Sequence, residues 1–490
     1  MSVGVRDRTG SDATTSQHER RRPAIVEHLG LTFELAGDTN HGLARLPAGA
    51  AELLWPTAGA QTPVAAVARA GDRSVPIFAR LTGDREAERL LVQRGGEWSR
   101  VASVVGAGDD AEPLASIWRS QDGSVFLPFD PDEVCLQYWS EGYQTLARAG
   151  SRRLAHRAAM LAYYRVRGLL ARPVQIWLRR RYARRQARTP FPRWPVETSL
   201  HDFFELFTSI LADVAGAPLA RIAAWPHEHT WALVLSHDVE TAAGLAALDP
   251  ILELERGLGL RSAWNFVPRR YDVPDERVRA LQADGFEVGV HGLYHDGRDL
   301  ESPARLRERL PGMRAAAERW GAVGFRSPAT HRDWGLMPQL GFDYDSSSPD
   351  TDPFEPQGGG CCEWLPFFNG PMVELPLTMP QDHTLFVILR HRDEHAWVEK
   401  AQALRARGGM AMIDTHPDYL LDQRILTAYR RLLERFAADD TAWKALPAEV
   451  SAWWRRRAAS RVERVGGEWT VTGPAAEEAR VEFVEGTPWR

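Results

Sequence analysis

The sequence predicts an α/β protein: a parallel sheet or barrel jacketed by helices over the second half, a smaller α/β domain and a basic helical segment before it, and a small β appendage at the end. Three observations lead there. From about Trp225, short apolar segments alternate with helical stretches, the rhythm of parallel strands joined by helical crossovers. Several of those segments end in residues able to bind metal or move protons, and strand ends are where sheets and barrels assemble their sites. At 490 residues with 44% hydrophobic content, the chain has material for two or three domains with real cores.

Taken in order, residues 1–22 lack the apolar stretch of a signal peptide and read as a disordered tail. Residues 23–141 carry strand-like pieces (VAAVARA, VPIFARL, SVFLPF) between turn signals and read as the small α/β domain, without evident chemistry. Residues 142–196 form the basic segment and a proline-rich linker, FPRWPVETSL. They contain fourteen arginines and no Asp, Glu or Lys, so the rest of the chain carries 46 − 65 = −19. Arginines interleaved with Tyr, Trp and Leu suit peripheral contact with an anionic membrane through residues 150–190; they also suit a solvated basic helix packed on the acidic remainder. Pro173 is expected to break that helix. No recognition module accompanies the charge, which argues against nucleic acid.

Residues 197–224 hold a connecting helix, SLHDFFELFTSILADVAG, with a 3.6-residue apolar period opened by Ser199 and closed by Gly216. The main domain spans 225–448. Its expected strands are WALVLSHD, SAWNFVP, FEVGVHG, AVGFRSP, FDYDSSS, TLFVILR and MAMIDTHP, with helices from DPILELERGL to LTAYRRLLERFAAD between several of them. Residues 449–490 (EWTVTG, ARVEFVEG) have period-2 alternation and form the β appendage. Three cysteines, at 135, 361 and 362, give neither a disulfide framework nor zinc-finger spacing. With no apolar run long enough to span a bilayer, a cytoplasmic protein is expected. The 58 arginines among 60 basic residues point to a GC-rich bacterial source.

In SHDVE, Asp238 and Glu240 are two residues apart and face one side of an extended strand; Asp238 also stands where a helix N-cap would. His291 and His295, in HGLYH, have the spacing of two imidazoles on one side of a helical turn, a pair that alone is often incidental among 15 histidines. Arg326, in GFRSP, is placed to hold a carboxylate bidentately or to make a surface ion pair. His416, in IDTHPDY, is either a proton donor with Asp414 or Asp418 nearby in sequence, or a neutral histidine satisfied by backbone. Together they point to metal-assisted hydrolysis, since hydrolytic zinc usually has three protein ligands and one open position.

HDVE, HGLYH, RSP and IDTH, in that order between about Trp225 and Leu446, resemble the motifs of the polysaccharide deacetylases of the NodB-homology class, carbohydrate esterase family 4. The resemblance implies a distorted NodB-type (β/α) barrel and a divalent metal, usually zinc. It implies Asp238 as catalytic base, Arg326 as the arginine tethering it, His416 as acid, and His291, His295 and Glu240 as metal ligands. The commonest family motif has adjacent aspartates; here Val239 intervenes and the second acid is the longer Glu240. The stretch from Phe342 to Phe386 resembles a subgroup linked to surface-polysaccharide synthesis, in which Glu374 and Asp382 line the cleft without assigned roles. An N-acetylated glycan or activated sugar is the implied substrate, with Trp264, Trp334 or Trp364 as candidate stacking platforms. Two other functions remain: a decayed glycan-binding or scaffold protein, and a C–N hydrolase acting on a small non-sugar amide.

Overall fold

A computed structural model describes residues 22–36, 42–57, 62–107, 112–147, 172–186 and 191–490. Nearly all of the expected disordered tail, and residues 148–171 and 187–190 of the basic segment, lie outside those residues.

The first sheet has seven strands: β1 (Leu43–Ala48), β2 (Ala51–Pro56), β3 (Val64–Ala70), β4 (Arg73–Ala79), β5 (Trp98–Gly106), β6 (Pro113–Ser120) and β7 (Val125–Phe126). Their order is β1-β2-β7-β6-β5-β3-β4, antiparallel except where β2 meets β7. Helix Ser199–Ala215 packs its apolar stripe (Phe203, Phe207, Ile210) into the same core as Leu53, Ile77 and Ile117. Ser199 is its first residue, not its cap: the Glu197 carboxylate accepts from the Ser199 amide and hydroxyl at 2.9 and 2.6 Å. Gly216 closes the helix in the left-handed conformation at φ 63°.

After β8 (Leu219–Ile222) comes the second sheet: β9 (Trp231–Val239), β10 (Ala263–Phe266), β11 (Glu287–His291), β12 (Gly324–Arg326), β13 (Tyr344–Asp345), β14 (Phe367–Asn369), β15 (Met372–Glu374), β16 (Met410–Thr415) and β17 (Ala442–Ala445). The order is β14-β15-β13-β12-β11-β10-β9-β16, with β17 beside the first half of β9. Every pairing is parallel except β14 with β15. Every residue of β9 and β16 is buried, as expected of parallel strands covered on both faces. Beyond β15 the chain curls back to β16, where the Met379 amide donates to Met412 O at 3.0 Å and the Thr378 hydroxyl to Met410 O at 2.5 Å. The result is a distorted, nearly closed α/β barrel.

That closure explains one departure from the sequence reading. TLFVILR is not a strand; His383–Leu389 forms a π-helix. The edge of β16 is already taken by the segment ending at Met379, so this apolar run has no sheet to join, and periodicity cannot separate short buried strands from helix. The β14–β15 hairpin was also unexpected, although Asn369-Gly370 marks it: Gly370 takes φ 61° at the first turn position, which favours glycine. Pro173 lies in the first turn of helix Arg172–Gln186, where its missing N–H costs nothing; the residues before Arg172, across which a break was expected, lie outside the described ones.

In the C-terminal region β18 (Arg461–Val465) and β19 (Glu468–Thr472) form a hairpin, and β20 (Val481–Val484) pairs antiparallel with β8. Between the two large sheets sits Glu363, fully buried. Its carboxylate meets His28 Nε2 at 3.1 Å and His201 Nε2 at 3.0 Å, and accepts from the Trp139 indole at 3.2 Å and from the Trp364 and Leu365 amides at 3.0 Å. Burial pushes its pKa up, but His201 and His28 outweigh burial and hold it well below the usual range. A depressed carboxyl stabilises the fold fully above its unfolded pKa of about 4.3, and the contribution fades as pH falls from there. Glu363→Gln should therefore lower the unfolding free energy by about 3 kcal/mol at neutral pH, and by less near pH 3; urea midpoints of both proteins at the two pH values measure the difference.

Candidate active site

The carboxyl ends of β9, β11, β12 and β16 bring all six of the residues singled out from the sequence to one place. Asp238 ends β9 with Val239, and Glu240 follows it. The Asp238 carboxylate accepts from the Asn265 amide at 2.9 Å and lies 3.6 Å from His291 Nε2. It caps no helix; Thr241 does, accepting from the Gly244 amide at 3.1 Å. His237 alternates to the opposite side, where Glu255 and Thr415 hold it at 2.8 Å against Trp264.

Register explains how Asn265 reaches Asp238. Asp238, Asn265 and Gly289 are aligned across β9, β10 and β11. A Cβ on Gly289 would fall 2.0 Å from the Asn265 side-chain oxygen, far inside contact distance, so the glycine makes room for the amide that orients Asp238.

His291 is the last residue of β11 and His295 lies in an irregular loop, not on a helical turn. Gly292 at φ 60° and His295 at φ 58° both take the left-handed conformation, which brings the ring centroids to 4.9 Å. A Cβ on Gly292 would also strike Asp299 and Pro328. His291 Nδ1 lies 3.1 Å from Arg326 O; a donor there leaves the Nε2 lone pair facing the site. Burial pushes His291 down to about 4, so its imidazole is neutral at ordinary pH. Glu240 lies 2.8 Å from His295 Nε2; burial raises its pKa, yet the neighbouring His295 brings it well below the usual range.

The donor atoms of Glu240, His291 and His295 lie within 4.8 Å of one another; His291 Nε2 is buried without a hydrogen-bond partner, and His295 Nε2 faces the Glu240 carboxylate. Two imidazole nitrogens, one ionised carboxylate and a solvent-facing side fit a divalent metal with an open coordination position. A second group, Asp238, Asp414 and His416, is equally close, but Arg326 already lies against both of its carboxylates.

Arg326 is wholly buried. Its Nε donates to Ser346 at 3.1 Å and one Nη to Ser236 at 2.9 Å. The other Nη lies 2.8 Å from Asp414 and 3.5 Å from Asp238, so the arginine is shared between two carboxylates and holds Asp414 the more closely. Burial drives both pKa values up. In Asp238 that push is outweighed by His291, Arg326 and His416, leaving it below the usual range. Asp414, facing Asp238, stays well above it. The ionised member is the one beside the histidines.

His416 follows β16. Its Nδ1 pairs with Asp382 Oδ1 at 2.7 Å, and its amide donates to Oδ2 of the same carboxylate at 2.8 Å. Burial lowers the imidazole pKa, but Asp382 and Asp414 more than reverse that and raise it well above the ordinary histidine value. Asp382 is thus the partner of His416; Asp418 instead takes the Thr241 hydroxyl. Glu374 is buried in a pair with Asp345 and accepts from the Ser348 amide at 2.8 Å. Trp264 is fully buried on His237, and Trp364 is buried against His201, so neither can stack on a ligand. Trp334 is half-buried against Phe367. The aromatic ring beside His416 belongs to Tyr419, 5.4 Å away.

No family model and no curated protein matches the sequence. Among solved structures, the chain is similar to a "putative polysaccharide deacetylase from Mycobacterium smegmatis" at 20% identity, covering 47% of this chain and 92% of that one, with a TM-score of 0.38. It is similar to the "Puue Allantoinase" at 18% identity over 48% and 93% of the two chains, with a TM-score of 0.39. A "probable Polysaccharide deacetylase from Pseudomonas aeruginosa PAO1" shows 18% identity over 49% and 96%, with a TM-score of 0.40. Each covers only about half of this chain.

Two outcomes test this geometry. Purified protein should hold a divalent metal in equimolar amount after dialysis, and His291→Ala should lose it, as read by elemental analysis. Asp382→Asn removes the largest interaction raising the His416 pKa, so the alkaline limb of the pH–rate profile should move to lower pH while the acid limb stays in place.

Proposed function

We propose that this chain is a metal-dependent hydrolase that removes N-acetyl, or O-acetyl, groups from a carbohydrate. The observation that carries this reading is the pairing at one strand-end site of an ionised carboxylate, Asp238, with a histidine held protonated, His416, beside the donor set Glu240, His291 and His295. The order of the sequence motifs supports a glycan as the substrate, in surface-polysaccharide metabolism.

A divalent metal held by Glu240, His291 and His295 would supply Lewis acidity toward the acetyl carbonyl and lower the pKa of a coordinated water. The chain's own residues would handle the protons. Asp238 accepts one from the attacking water, and Asn265 and Arg326 keep its carboxylate in place as it does so. His416, oriented through Nδ1 by Asp382, presents Nε2 to the site and gives a proton to the departing amine. A C–O bond forms, the C–N bond breaks, and acetate and an amino sugar leave. A transferred proton at each end is worth about 10²–10⁴-fold in rate.

Glu240 bears on the decayed-site alternative. Its extra methylene follows a one-residue insertion between the acids, and its carboxylate still reaches His295 at 2.8 Å. The longer side chain thus makes up for its later position.

Acetate release from N-acetylated oligosaccharides, measured beside small non-sugar amides, tests the substrate class. Wild type should release acetate from the glycans, and Asp238→Asn and His416→Ala should each lower kcat by about 10²-fold or more while retaining metal. Hydrolysis of the small amides alone would favour the C–N hydrolase instead, and metal without any turnover would favour a binding protein.

A further inference from the structure

Helix Arg172–Gln186 is bound to the barrel along one side. Arg179 donates to Phe354 O at 2.7 Å and meets Glu355 at 3.4 Å. Arg180 donates to Val387 O at 2.8 Å, and Ala183 is buried with Phe354 and Ile388. Positions 174, 177 and 181 share another side, because residues three, four and seven apart fall on one helical stripe. Val174 is 43% exposed and Trp177 56% exposed, and the exposed Arg181 guanidinium lies 5.9 Å over the Trp177 ring. Exposed Arg390 and Arg392 follow the π-helix to which this helix is tied, and neither has an acidic partner among the described residues.

We propose that this face of helix Arg172–Gln186 is a docking surface for an anionic lipid membrane. Charge complementarity selects that occupant. Between Gly142 and Val196 the sequence has fourteen arginines and no acidic residue, while the rest carries −19. An anionic surface repels that remainder and attracts this stretch, so contact is both favoured and oriented. The exposed tryptophan and valine choose lipid over other polyanions. A Trp ring with a neighbouring arginine suits the headgroup boundary, and an aliphatic side chain gains from insertion there but nothing from a phosphate backbone. Among the described residues no helix is long and apolar enough to cross a membrane, so the contact is peripheral. The proposal goes beyond the hydrolytic reading and does not depend on it.

Co-sedimentation of the full chain with vesicles of phosphatidylcholine, with and without phosphatidylglycerol, tests the surface. Binding should require phosphatidylglycerol, weaken with salt, and fall about tenfold or more in the Trp177→Ala/Arg181→Glu double variant. Arg181→Glu alone should give a smaller loss, and Arg181→Lys should bind as wild type does. Circular dichroism and acetate release from a soluble substrate should be unchanged in all three. Failure of wild type to bind, equal binding to neutral vesicles, undiminished binding by the double variant, or preference for an oligonucleotide over the vesicles would each overturn the proposal. No acetate release by wild type, with its vesicle binding intact, would count against the hydrolase and leave the docking surface standing.

Discussion

A single buried cation organises the site. Removing a guanidinium from water costs several kcal/mol unless its donors are met, and those of Arg326 are met by residues at the ends of other strands: Ser236 and Asp238 on β9, Ser346 just past β13, and Asp414 on β16. The arginine therefore joins strand ends that the backbone ladder alone would leave free to splay. It also fixes the charge state. One cation between two carboxylates leaves an excess negative charge, and the surroundings divide the pair so that Asp238 ionises readily and Asp414 resists. Separation of two like groups by environment is how one site obtains a base at ordinary pH.

The strand-end residues were legible because parallel strands are short, apolar and end abruptly in polar residues, so the sequence itself shows where the site begins. Asp238, Glu240, His291, Arg326 and His416 all stand at such an ending. Asp382 does not. It precedes an apolar run that resembles a strand, and only the closure of the barrel through Met379 tells that the run must turn aside. The sequence placed Asp382 in the cleft without a role, and it did not mark Asn265 at all: the place of Asn265 beside Asp238 is a matter of register, and the glycine that admits it lies on the next strand. Local pattern reveals residues that point into a site from their own strand, and it misses those that arrive from a neighbour.

The first half of the chain shows a different limit. Its strands and the connecting helix announce themselves by period, but what joins them to the barrel is a glutamate buried in a loop. Glu363 lies between two cysteines and a tryptophan with nothing in its local sequence to mark it, and its partners come from residues 28, 139 and 201. A charged residue so fully enclosed persists only with its lone pairs met, and here they are met from both sides of the junction. The two halves are thus held together by buried polar contacts, this one beside the Arg332–Glu141 pair and the Tyr143 hydroxyl on Gly360 O, inside a largely apolar seam.

The proposed acid and the proposed base belong to different pieces of the architecture. Asp238 and its supports, Asn265 and Arg326, stand on strands of one sheet, whose spacing the sheet dictates. Asp382, which sets the strength of His416, opens a π-turn that belongs to no strand and is clasped from outside by Arg180. Lengthening or recasting that turn would retune how readily a leaving group is protonated and leave the water-activating half untouched. On the proposed mechanism, leaving groups of different basicity could be met by changes in this peripheral loop, with the barrel unchanged.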